Sequence, residues 1–247
     1  MGYGRLAVCA LAVASTAHAQ SLESRIANAK GSVAFEYTTR PTVCGRGNNI
    51  NIRDRGDYYD SYGGCRMGPA RVLLQRDGST VTSLNVTVAS HPDDADTELG
   101  EVLPSEASKY LLSIAPKLQG RSGDRAILAA EIAEGGAPWR ELLRIARDDN
   151  ASESARKASV FWVSQEAEEA ATAGLGSIAA DDDSALSVRK DSLFFLAQRP
   201  HGEGIPALVK VVESSKSVAL KKDAIFFLAQ SRDDRALALF ERLLSGK

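Results

Sequence analysis

Two hydrophobic periods divide the chain. Within residues 31–90 there are segments in which apolar side chains alternate with polar ones, the period of two that marks a strand; from residue 104 they recur every three to four residues, as on one face of a helix. Val33, Phe35 and Tyr37 alternate with Ala34, Glu36 and Thr38, and Pro41 ends that segment. Residues 70–76 and 79–88 flank Asp77-Gly78, a pair that supplies the positive φ angles of a two-residue type I′ turn and so predicts an antiparallel hairpin. In that register Leu84, Val86 and Val88 share a face, with Leu73 opposite Thr82. The expectation is a small antiparallel β-rich domain over 20–92, an acidic linker over 93–103, and a helical region over 104–247 with breaks at Gly120, Gly135-Gly136, Gly174 and Pro200-His201-Gly202.

Within the helical region one segment recurs. Arg156-Lys-Ala-Ser-Val-Phe-Trp-Val-Ser-Gln165, Arg189-Lys-Asp-Ser-Leu-Phe-Phe-Leu-Ala-Gln198 and Lys221-Lys-Asp-Ala-Ile-Phe-Phe-Leu-Ala-Gln230 align, and a fainter copy begins at Asp124. Each copy is followed by a second amphipathic stretch, at 139–146, 167–178, 205–212 and 236–244. Ile205, Leu208, Val209 and Val212 show the i, i+3, i+4, i+7 stripe of a helix with one apolar face. Two short helices cannot bury both their apolar faces alone, so units of about 32 residues must stack.

The pattern basic-basic-x-Ala/Ser-aliphatic-aromatic-aromatic-aliphatic-small, followed by a turn and a second helix, resembles bacterial HEAT repeats. It is similar to the short-repeat type first recognised in phycobilisome lyase-like proteins. The resemblance covers 124–247, extended by a capping helix at 105–114, and implies a mainly α fold: a HEAT-like α-solenoid of about four helical hairpins, behind the small β domain. What it implies about activity is open, because such folds serve as scaffolds for many partners.

Two columns repeat with the units. The basic residues Arg156, Arg189 and Lys221 recur beside acidic turns at 148–149, 181–183 and 233–234, which reads as a salt-bridge ladder between units, with a basic groove as the alternative. The aromatic pairs Phe161-Trp162, Phe194-Phe195 and Phe226-Phe227 are adjacent residues, about 100° apart around a helix, so one column fills the core and the other lies between units or at the surface. An exposed column, taken as Phe161, Phe194 and Phe226, is the candidate partner-binding stripe.

The N-terminus changes the compartment. Arg5, an apolar run over 6–14 and Ala17-His18-Ala19 have the layout of a secretory signal peptide over 1–19, which predicts an exported chain, periplasmic or extracellular, beginning at Gln20. No later segment reaches the roughly 20 apolar residues of a membrane span, so no membrane insertion is expected after cleavage. The chain carries 30 basic and 32 acidic residues and loses Arg5 with the signal, a balance that argues against a nucleic-acid partner. Of three cysteines only Cys44 and Cys65 would remain, and an even pair in an oxidising compartment reads as a disulfide, the alternative being two buried thiols.

Between those cysteines Tyr58, Tyr59 and Tyr62 alternate with Asp54, Asp57 and Asp60, a second candidate recognition surface. The carboxylates are spaced wrongly for a calcium loop. His91 and His201 lie far apart, and the chain has no C-x-x-C, no H-E-x-x-H and no G-x-S-x-G. No catalytic residue, cofactor or metal is therefore expected. The reading is a non-catalytic scaffold for a protein partner; a lyase-like repeat enzyme and an envelope structural or adhesion protein are the alternatives.

Overall fold

The computed structural model describes residues 20–52, 65–90, 94–166 and 169–245. The expected signal peptide, Tyr58, Tyr59, Tyr62 and His91 lie outside the described residues. Helix α1 (Leu22–Asn28) is capped by Ser21 and buries Leu22 and Ile26. Strands β1 (Val33–Tyr37), β4 (Ala70–Asp77), β5 (Thr80–Val88) and β6 (Thr97–Glu101) form one sheet in the order β5-β4-β1-β6. Strands β2 (Val43–Arg46) and β3 (Asn49–Ile52) form a separate antiparallel ribbon.

β1 reads Val-Ala-Phe-Glu-Tyr, β-branched and aromatic residues whose alternation puts Val33, Phe35 and Tyr37 on one face. That face continues through Ala70, Val72 and Leu74 of β4 and Leu84, Val86 and Val88 of β5, all buried. The hairpin is present, but its turn sits one residue later than expected. Asp77 pairs with Thr80, so the loop is Gly78-Ser79 and only Gly78 takes a positive φ, 59°. A bulge after Gln75 then absorbs Thr82, which sets Leu74 opposite Leu84 and Leu73 opposite Asn85 rather than Thr82.

The sheet is mixed, not antiparallel throughout, because β6 runs parallel to β1. It lies inside the stretch expected to be a linker. Its alternation was masked by Glu98 and Glu101, acids that an edge strand accommodates because one side stays wet. Backbone bonds hold it: the Thr97 N–H donates to the Ser32 carbonyl at 3.0 Å and the Val102 N–H to that of Glu36 at 2.8 Å. The carboxylate of Asp96 accepts from both the N–H and the hydroxyl of Ser32, each at 2.8 Å, which lowers its pKa.

The helices are α2 (Pro104–Ile114), α3 (Arg121–Glu131), α4 (Trp139–Ala146), α5 (Glu153–Ser164), α6 (Glu169–Ala180), α7 (Leu186–Ala197), α8 (Ile205–Ser214), α9 (Val218–Ser231) and α10 (Asp234–Ser245). Ser152 and Ser217 cap α5 and α9, while Pro at the first turn opens α2 and α8. Two layers result: α3, α5, α7 and α9 touch in succession, as do α4, α6, α8 and α10. The closest pairings are α4 with α5, α6 with α7 and α8 with α9. Each repeated segment therefore pairs most closely with the helix before it, not with the one after it, as the sequence units had grouped them.

Sheet and helices share one core. The Tyr37 hydroxyl donates to the Ala129 carbonyl at 2.5 Å, and the Phe35 and Tyr110 rings meet edge to face at 6.5 Å. Past β1 the chain pairs with the end of α3: the Arg40 N–H donates to Ile132 and the Glu134 N–H to Thr38. Cys44 and Cys65 form a disulfide that ties the β2–β3 ribbon to the segment entering β4.

Candidate functional site

Along α5, α7 and α9 the repeated segment places three residues on one helix face, at i, i+4 and i+8: Lys157-Phe161-Gln165, Lys190-Phe194-Gln198 and Lys222-Phe226-Gln230. Because the helices are neighbours, the rows align into columns. Phe161, Phe194 and Phe226 are 40%, 47% and 58% exposed, against a neighbouring column of Trp162, Phe195 and Phe227 that is partly buried on the core. The sequence left open which column faces out, and it is the one named as the stripe.

The two columns interleave. Trp162 meets Phe161 at 4.8 Å, Phe161 meets Phe195 at 5.8 Å, Phe195 meets Phe194 at 5.2 Å, Phe194 meets Phe227 at 6.2 Å and Phe227 meets Phe226 at 5.6 Å, all edge to face. Six rings thus form one unbroken zigzag across three helices. Such contacts fix ring orientation at about 0.5–1.5 kcal/mol per pair. The outer rings therefore pack edge to face on the inner ones while remaining exposed.

A charge ladder borders the ridge. Lys157 reaches Asp191 of the next repeat at 3.6 Å, and Lys190 reaches Asp223 of the repeat after it at 2.9 Å. The ladder expected from Arg156, Arg189 and the acidic turns is built differently. Arg156 clasps Asp149 at 3.0 Å and Arg189 clasps Asp182 at 2.8 Å, each in the turn just before its own helix, so these pairs close hairpins, not the gaps between units. Arg189 also donates to the Ala179 carbonyl at 3.1 Å, which accounts for its burial. On the ridge's other border Gln165, Gln198 and Gln230 are exposed.

Other groups with perturbed chemistry serve the fold. Burial raises the pKa of Glu131 above 4.5 despite the opposing charge of Arg40, 3.0 Å away, and its second oxygen accepts from the Ala137 N–H. Arg71 lies buried between Glu98, at 2.5 Å, and Glu36, at 3.6 Å. A cleft of about 380 Å³ opens beside β1, with Glu36, Arg40, Met67 and Glu101 in its wall. His201 occupies a left-handed turn, φ 52°. Among the described residues no group of three or more His, Cys, Asp or Glu side chains could hold a metal, and no helix is long and apolar enough to cross a membrane.

No protein-family model, curated protein or solved structure matches the chain.

Proposed function

We propose that this chain is an exported, non-catalytic scaffold whose helical layers form a HEAT-like α-solenoid and hold a protein partner on the ridge of Phe161, Phe194 and Phe226. The observation that carries the reading is the ridge itself. A large side chain on a helix surface normally turns inward, and burying a Phe side chain is worth about 1.5–3 kcal/mol. Three consecutive repeats forgo part of that gain at the same position, and contiguous exposed apolar surface of this kind marks interaction sites. Aromatic residues are also the side chains most enriched where partners bind tightly.

The solenoid part of the reading is supported by the succession of paired helices in two layers and by the repeated motif on α5, α7 and α9. Export is supported by the signal-like first 19 residues and by the disulfide.

The test is partner capture by crosslinking in the native host, with wild type beside a Phe161→Ala, Phe194→Ala, Phe226→Ala variant whose helicity is checked by circular dichroism. A protein recovered with wild type and lost with the folded variant is the expected result. Equal recovery with both, or a variant that unfolds because the rings are core, overturns the reading.

A further inference from the structure

We propose that two copies of this chain join tail to tail, the outer face of α9 and α10 in one copy packing on the same face of the other about a two-fold axis. The inference goes beyond the scaffold reading and does not rest on the ridge having a partner.

The last layer presents an apolar face with one charge of each sign. Lys190 of α7 reaches Asp223 of α9 at 2.9 Å, and Leu193 is buried beneath that helix. Lys222 and Ile225 hold the same positions one repeat later, so they point away from α7, to where a further helix would lie. Val218, four residues before Lys222 on the same side of α9, is exposed beside them. On α10, Arg242 reaches Glu213 of α8 at 2.5 Å and Arg235 donates to the Gly202 carbonyl. At about 100° per residue, Leu237, Glu241 and Leu244 come out on the opposite side of α10 from those two arginines. All three are exposed.

Self-complementarity selects a second copy as the occupant. Only Arg232 and Asp233 join α9 to α10, so the two helices run antiparallel. Read towards that turn, Val218, Lys222 and Ile225 are spaced by four and three residues, and Leu244, Glu241 and Leu237 by three and four. Ile225 stands six residues before the end of α9 at Ser231, and Leu237 three residues after the start of α10 at Asp234, so the two triplets lie level to within about 5 Å. A two-fold axis parallel to the helices and midway between them sets α9 of each copy on α10 of the other at unchanged height. Val218 then meets Leu244, Lys222 meets Glu241 and Ile225 meets Leu237, each twice. Lys157 and Lys190 spend their charge on the next repeat, but among the described residues neither Lys222 nor Glu241 has an ion-pair partner in its own chain. The sheet covers the other end of the stack, which blocks head-to-tail continuation and leaves the arrangement that closes at two copies.

The test is sedimentation equilibrium of the purified full chain over about 1 μM to 1 mM, where wild type should reach twice the mass of one chain. Lys222→Glu sets like charges against Glu241 of the other copy, and Glu241→Lys sets them against Lys222. Each variant alone should therefore dimerise about tenfold or more weakly. Mixing the two variants restores both charge pairs in one mixed dimer, so the mixture should regain the wild-type affinity, which a role confined to one chain would not give. Both substitutions fall at exposed positions, and circular dichroism checks that each variant folds. Ile225 is part exposed in the dilute monomer and covered in the dimer, so the cost of Ile225→Ala should rise with protein concentration. A wild-type monomer at the top of the range, a dimer that either charge reversal leaves unchanged, or two variants that stay monomeric when mixed overturns the inference.

Discussion

Leu193 and Ile225 stand at the same position of consecutive repeats in unequal surroundings. Leu193 on α7 is fully buried under α9, whereas Ile225 on α9 is 38% exposed because no described helix lies beyond it. Leu193→Ala should cost about 3 kcal/mol in urea unfolding, in the range for a buried leucine, and Ile225→Ala about 1 kcal/mol. Equal costs would mean that the last layer is covered in solution. Glu131 makes a prediction in pH. Its folded pKa lies above its ordinary 4.5, so in that window the folded state keeps a proton the unfolded chain has lost. Stability is full below 4.5 and falls as pH rises through the raised value. Glu131→Gln should remove that decline, so the variant gains on wild type as pH rises above 4.5 in parallel denaturation series. Single residues were also where the sequence was least legible. Adjacency showed that the paired aromatics must diverge, but which of each pair faces out depends on where the neighbouring helices sit. Local order carries no trace of that.

Gly204, at the start of α8, shows how tightly consecutive helices approach. A Cβ added there would lie 2.0 Å from the Leu196 carbonyl oxygen, a backbone atom that cannot move without shifting α7. Gly204→Ala should therefore destabilise by about 2–3 kcal/mol or more, read from the denaturation midpoint, the more so because Gly204 is the N-cap of α8, where alanine is a poor replacement. The Cys44–Cys65 bridge closes a 21-residue separation. Replacing both cysteines by serine should cost up to about 3 kcal/mol on the chain-entropy account; unchanged stability would show that the β2–β3 ribbon is held by other contacts. Helices were legible because the 3.6-residue period is written into each segment: the stretch read as 139–146 is α4, and that read as 205–212 falls inside α8. β6 was not, since its residues Thr-Glu-Leu-Gly-Glu read as linker and its pairing with β1 is set by backbone bonds between strands far apart in the chain. The hairpin slipped by one residue because Asp77-Gly78 and Gly78-Ser79 are both good turn pairs, and the bulge after Gln75 restores the apolar face either way.

The sheet lays its apolar face on α2 and α3, through Phe35 on Tyr110 and Tyr37 on Ala129, and the layer that begins with α3 continues through α5, α7 and α9 to carry the ridge. One end of the stack is thus covered by the sheet, and the exposed aromatic ridge lies along its length. The repeat made that layout readable, because stacking follows from units too small to bury their own faces; the bond from sheet to helix did not, because Tyr37 gives no sign of which distant carbonyl it will meet. The most direct measurement is site-specific photocrosslinking in the native host, with a photoreactive phenylalanine placed at Phe194 on the ridge or, as control, at Lys210 on α8 in the other layer. The account predicts an adduct with a second protein from position 194 and none from 210. Equal adducts from both positions, or none from 194, would contradict it.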